Sequence, residues 1–273
     1  MKRKDWKPKT QTERQFQISI EQINQALRKR VRKARTLPAL IDSFHRFSET
    51  DSFKKFAQEL AFNMVRTVAA QNYKTWREAA RASGRSAEIY RLLNAEFGHN
   101  PKLQAIVSSN AELIRSIPKR NAEIIANQAK RYAIEGKRAS ELLKEYQDDL
   151  DTLPGYQART IARTEIAKTQ AAITKIRAQE VGAQWAIWET SQDQRTRSSH
   201  KHMQGVIFRL NDPPSPEALN GEKDIGRYGP GEIFNCRCFA APIVDESQVP
   251  EALKVYEGGK IQRISRKKFL EIQ

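Results

Sequence analysis

Apolar positions in the first half of the chain recur at intervals of three and four, the spacing of one face of an α-helix. Phe16, Ile20, Ile23 and Leu27 mark a helix over about 14–35, whose second half is taken over by Lys and Arg and which Pro38 closes. Phe53, Phe56, Leu60, Met64, Val65 and Val68 mark a second helix over 52–81, with Gly84 as its stop. Shorter helices follow over 86–97, 102–117, 119–134 and 140–149. Their breaks are Gly98-His99-Asn100-Pro101, Pro118 and Gly136, and Ser140 is placed to cap the last. Residues 1–13 are polar and basic and are expected to be mobile.

The pattern changes after Leu153-Pro154-Gly155. A long helix is predicted over 156–181, with Ala162, Ile166, Ile173 and Ile176 on its buried face and Gly182 as C-cap. The period then switches from 3.6 to 2. Residues 184–190 read as a strand, with Trp185, Ile187 and Glu189 on one side and Ala186 and Trp188 on the other. A second strand over 206–210 and an extended stretch over 233–244 follow, separated by a Pro-rich loop at 211–216 and a Gly-rich loop at 226–231. The expected fold is α+β: a mostly helical N-terminal region, then a small C-terminal domain of one long helix and a short antiparallel sheet. The divisions read as a basic N-terminal arm (1–40), a helical region (41–152), the α+β domain (153–245) and a polar, basic tail (246–273) that ends in an amphipathic stretch over 261–272. No repeat of 20–50 residues is visible.

Charge sharpens the reading of the arm. The 273 residues carry a net charge of +16. The first forty hold twelve Lys or Arg and three acids, so 12 − 3 = +9 of the excess lies there. Lys2, Arg3, Lys4, Arg28, Lys29, Arg30, Arg32, Lys33 and Arg35 are the candidate contacts to nucleic acid or an acidic protein surface, bound with release of counterions. The competing reading is a solvated terminus that is basic by composition. The two cysteines, Cys236 and Cys238, are too close in sequence for an unstrained bridge, which fits a reducing compartment. No run approaches the eighteen or so apolar residues of a membrane span, and no apolar segment of a signal peptide follows Met1-Lys2-Arg3-Lys4-Asp5. Synthesis in the cytoplasm and no membrane partner are expected.

Four short segments stand in a fixed order. They are Ala158-Arg159-Thr160-Ile161-Ala162-Arg163-Thr164-Glu165; Trp188-Glu189-Thr190 through Asp193, Arg195, Thr196 and Arg197 to His200, with Gly205 beyond; Gly229-Pro230-Gly231; and Asn235-Cys236-Arg237-Cys238, with Pro242 after it. Together they resemble the phage Mu F-like domain of minor head proteins, over about ninety residues. The resemblance implies a minor capsid or head-morphogenesis protein of a tailed phage or prophage. Such a protein is found in the virion, at the portal vertex or head interior, and acts in assembly and DNA packaging or delivery. Its implied partners are the portal and capsid proteins and packaged double-stranded DNA. One departure is that Ile233-Phe234 stands where many members of the family have His-Pro, so a role that the family gives to a His at that place is not expected to carry over.

The segments admit several kinds of chemistry. Arg159 and Arg163 are helix neighbours at i and i+4, and Glu165 points away from them. With Asp193, Arg195, Arg197 and His200 they make a candidate structural polar network, in which guanidinium forks hold a carboxylate at the turn after the first strand. A basic site for phosphate or a protein carboxylate is the alternative. His200 and His202 with Cys236 and Cys238 form an H-x-H…C-x-C set, which would offer four zinc ligands if each pair lies in extended chain. The competing reading is small core cysteines and a hydrogen-bonded His200, with no cofactor. An enzyme is not expected: paired carboxylates in a known motif, a phosphate-cradling Gly loop and G-x-S-x-G are all missing. Twenty-eight residues follow Asp245 (273 − 245), too few for an appended enzyme domain. A DNA-binding or metal-dependent DNA-processing factor is the alternative function.

Overall fold

The structure of the protein, a computed structural model, describes residues 3–84, 86–95, 100–151 and 158–272. The interruption at 153–155, the start of the helix predicted from 156, the end of the one predicted to 97 and the first half of the break at 98–101 lie outside these residues. The fold is α+β, as the pattern predicts. Among the described residues a short 3-10 turn (Arg3–Trp6) is followed by seven α-helices: α1 (Thr10–Lys33), α2 (Leu37–Glu49), α3 (Asp51–Ala82), α4 (Ser86–Ala95), α5 (Pro101–Ile134), α6 (Ala139–Asp148) and α7 (Ala158–Glu180). The chain forms two compact units, one of residues 1–10, 66–103 and 163–273, the other of residues 11–65 and 104–162.

In the second of these units the apolar stripe of α1 is buried along its length, through Phe16, Ile20, Ile23, Leu27 and Val31. Leu27 and Val31 join a core with Leu37, Leu40 and Phe44 of α2, Ala122 and Ile125 of α5, and Leu142, Leu143 and Tyr146 of α6. The basic stretch is therefore the solvent side of a packed helix. Near its N-terminus the chain is also ordered. Trp6 is buried and meets Trp76 edge to face at 5.0 Å, so the described part of the stretch expected to be mobile, from Arg3, is held by packing at Trp6.

Two prolines act differently from their sequence reading. Pro38 opens α2, in the first turn where a missing N–H costs nothing, and Thr36 caps that helix by accepting from the Ala39 N–H at 3.3 Å. Pro118 does not stop a helix but lies inside α5. A Pro there costs about 3 kcal/mol. The helix continues because Ile114, Ile117, Pro118, Asn121 and Ala122 fall on one buried stripe, whose apolar burial outweighs the lost bond. Ser140 is not the cap of α6: Arg138 holds that position and makes no side-chain cap.

The C-terminal part holds β1 (Trp185–Glu189), α8 (Ser198–His202), β2 (Val206–Arg209), α9 (Pro216–Leu219), β3 (Phe239–Pro242), β4 (Ala252–Glu257), β5 (Lys260–Ser265) and α10 (Arg266–Glu271). The sheet order is β3-β1-β2-β4-β5. Strand β1 pairs antiparallel with β2, Ile187 opposite Ile207, and with β3, Ile187 opposite Ala241. All five of its residues are buried, so both faces of this central strand are covered. The β2–β4 pairing is parallel, so the sheet is mixed and not wholly antiparallel as expected. Residues read as a tail supply two of its strands. Gly258 and Gly259, at φ +59° and +80°, form the two-residue turn joining β4 to β5, and Phe269 of α10 is fully buried against Trp185 at 5.1 Å. The extended stretch expected from 233 becomes a strand only at Phe239.

Candidate functional site: a buried His-Cys-Cys cluster

The chain between β1 and β2 turns through α8 and delivers His200 inward, 2% exposed. Trp188 of β1 meets its ring edge to face at 5.7 Å. The turn before β3 delivers Cys236 and Cys238, both free thiols and both 2% exposed. The two sulfurs lie 3.6 and 3.3 Å from His200 Nδ1. On the other side of the ring, His200 Nε2 is 3.0 Å from the Tyr228 hydroxyl. That hydroxyl is 2.7 Å from both carboxylate oxygens of Glu217 on α9, which also accepts from Ser199 Oγ at 3.1 Å.

The Tyr228 hydroxyl thus bridges the Glu217 carboxylate and His200 Nε2, while the other ring nitrogen, Nδ1, faces the two sulfurs. Burial first, and then the Glu217 contact, push the Tyr228 hydroxyl up. The Cys236 thiol is drawn down, above all by the Cys238 S–H donated to its sulfur, and Cys238, which keeps that proton, is pushed up.

A ring of polar contacts holds this turn. Arg237 forms a two-pronged ion pair with Asp193, one prong at 2.8 Å from Nη2 to Oδ1 and the other from Nη1 to Oδ2. Asp193 Oδ1 also accepts from the Arg195 backbone N–H at 3.0 Å and from Thr196 Oγ1 at 3.3 Å. Arg197 Nη2 donates to the Phe234 carbonyl at 3.0 Å. Arg163 Nη1 donates to Asn235 Oδ1 at 3.1 Å, and Thr164 Oγ1 accepts from the Asn235 N–H at 2.9 Å. Those bonds hold Asn235 in the left-handed region, at φ +55°. A Cβ at Gly231, itself at φ +91°, would lie 3.1 Å from the Cys238 carbonyl oxygen and 3.2 Å from that of Ala167, so only glycine fits there. The four sequence segments thus converge on one turn. A cavity of about 170 Å³ lies over it, with Arg163, Arg195, Arg197 and Arg237 on its walls and His200, Cys236 and Cys238 among its lining residues.

The expected residues are distributed unevenly in this arrangement. Arg163, Asp193, Arg197 and His200 stand in the assembled site, and Arg195 joins through its backbone. Glu165 contacts Lys168 at 3.4 Å, and Arg159 is exposed. His202 is exposed and outside the cluster. It lies two residues from His200 on a helix, where i and i+2 point apart; the expected pairing assumed extended chain. Arg237, Tyr228 and Glu217 were missed. Arg237 could have been found, since it sits inside the N-C-R-C segment; Glu217 carries no local signal. Among the basic residues, Lys29, Arg32, Lys33 and Arg35 are exposed. Arg28 pairs with Asp151 at 3.0 Å, and Arg30 lies over the Phe47 ring at 3.7 Å. Lys2 and the side chains of Arg3 and Lys4 lie outside the described residues.

A small α+β unit in which four separated segments lock one buried turn defines a structural class, and comparison with known proteins supplies the family. Residues 118–241 match the family described as Phage Mu protein F like protein. The match covers under half of the chain and likens this segment to the phage Mu F-like family of phage head morphogenesis proteins. A protein of Haemophilus influenzae (strain ATCC 51907 / DSM 11121 / KW20 / Rd) that carries the name "Uncharacterized protein" is 31% identical over 147 residues. The aligned stretch is 54% of this chain and 30% of that relative, so the chain spans under a third of the relative's length. No solved structure matches. Among the described residues no helix is long and apolar enough to cross a membrane.

Proposed function

We propose that this chain is a minor head protein of a tailed-phage or prophage particle, made in the host cytoplasm and built into the virion at the portal vertex or head interior. It works there by binding, without catalysis, in assembly and in DNA packaging or delivery. The observation that carries this reading is the family match over 118–241, on the segment whose motif residues form the locked turn. The Arg237–Asp193 fork and the Arg197–Phe234 bond support a scaffolding role for those groups, because each guanidinium is spent on holding backbone or a carboxylate. Its partners are the portal and capsid proteins, with packaged double-stranded DNA contacted through Lys29, Arg32, Lys33 and Arg35.

A second reading, a metal-dependent DNA-processing factor, draws on the Arg-walled cavity above the His-Cys-Cys cluster. Co-expression with portal and capsid proteins, followed by sedimentation of particles and a DNA-cleavage assay with added zinc or magnesium, separates the two. The proposed function requires sedimentation with particles and intact DNA. Cleavage by protein that stays out of particles would replace it with the second reading.

A further inference from the structure

The sulfurs of Cys236 and Cys238 and the Nδ1 of His200 lie within 4.8 Å of one another, all buried. Zinc bond lengths of about 2.3 Å to sulfur and about 2.0–2.1 Å to nitrogen, at tetrahedral angles, put neighbouring S and N ligands ~3.6 Å apart. The observed separations are 3.6 and 3.3 Å. The ring is oriented for this role: its Nε2 is tied to the Tyr228 hydroxyl, which is held by Glu217, and its Nδ1 faces the sulfurs. A His whose far nitrogen donates into a carboxylate-backed network is the usual support of a metal-bound imidazole. All three residues also line the cavity of about 170 Å³.

We propose that His200, Cys236 and Cys238 bind one zinc ion through Nδ1 and the two sulfurs, with the fourth position open to the cavity and filled by water or a small anion. His202 is not a ligand. The ion ties α8 to the turn before β3, the turn that the Arg237–Asp193 and Arg163–Asn235 contacts hold from outside. This goes beyond the proposed head function and does not depend on it: the site is complete within one chain.

The test uses the full chain, purified with a reductant and without chelators. Elemental analysis is expected to give about one zinc per chain, and His202→Ala is expected to keep it, while Cys236→Ser and Cys238→Ser fall to a tenth of that or less. Less than about 0.1 zinc per chain, before and after incubation with zinc, overturns the proposal, as does undiminished binding in both Cys→Ser variants. Cobalt(II) titration of the unaltered chain reads the ligands without any variant that could misfold. Thiolate charge-transfer absorption and the intense visible bands of a four-coordinate ion are expected, and azide is expected to shift those bands. A weak six-coordinate spectrum overturns the thiolate ligand set, and bands indifferent to azide overturn the open position.

Discussion

The Tyr228 hydroxyl joins His200 Nε2 to the Glu217 carboxylate while Nδ1 faces the thiols. Tyr228→Phe keeps the ring and removes the bridge, leaving the Glu217 carboxylate and His200 Nε2 short of a partner in a buried place. The expected loss is about 1–3 kcal/mol in chemical denaturation; a loss near zero would show that the relay does not orient the histidine. At Asp193, burial works to raise the carboxyl, but Arg237, the Arg195 N–H and the hydroxyls of Ser191 and Thr196 outweigh it and leave it below its ordinary value of 3.8. A depressed carboxyl stabilises the fold above its unfolded value and loses that contribution as pH falls through the folded one. Asp193→Asn is therefore expected to lower the melting temperature by a few degrees at neutral pH and by less at about pH 2.5. An equal drop at both would remove the ion pair as the cause. At this scale the sequence was readable where spacing suffices: Cys236, Cys238 and His200 stand out by residue type. Glu217 and Tyr228 did not, because they reach the cluster from the short helix α9 and the loop after it, along a path no local pattern records.

Elements were legible where an apolar stripe is long, as in α1 and α3, and least legible where one residue type has two meanings. Pro38 opens a helix and Pro118 rides inside one, and only burial of the surrounding stripe distinguishes the second from a stop. Helix α2 was missed for the first reason. Strands β4 and β5 were missed because their alternation is weak. In β4 only Leu253, Val255 and Tyr256 are buried, and β5 is an edge strand with no fully buried residue. Their importance to the sheet is nonetheless testable. Ending the chain after Asp245 strips β2 of its parallel neighbour and uncovers Trp185 by removing Phe269. Such a chain is expected to lose its cooperative melting transition or to be recovered only as aggregate. A soluble product with a transition like that of the full chain would mean that these elements are peripheral.

For the whole molecule, the excess of basic residues gains meaning only when sorted by surroundings. Arg28 and Arg30 are engaged within the fold, while Lys29, Arg32, Lys33 and Arg35 remain exposed on or beside a helix whose other side is core. Removing that segment would damage the core, so charge substitution is the cleaner probe. Replacing the four exposed residues with Gln is expected to weaken DNA binding and to lower its log–log salt slope by about 0.9 for each phosphate no longer neutralised. An unchanged slope would free DNA from this helix. The likeness to the phage Mu F-like family is legible in four short segments of the sequence, and the fold explains why those segments occur together: they build one turn. The proposed place of the protein is the particle itself, which quantitative mass spectrometry of purified particles, full and empty of DNA, reads out. This chain is expected in both kinds of particle at a fixed low copy number relative to the major capsid protein, and its absence from both would remove it from the head.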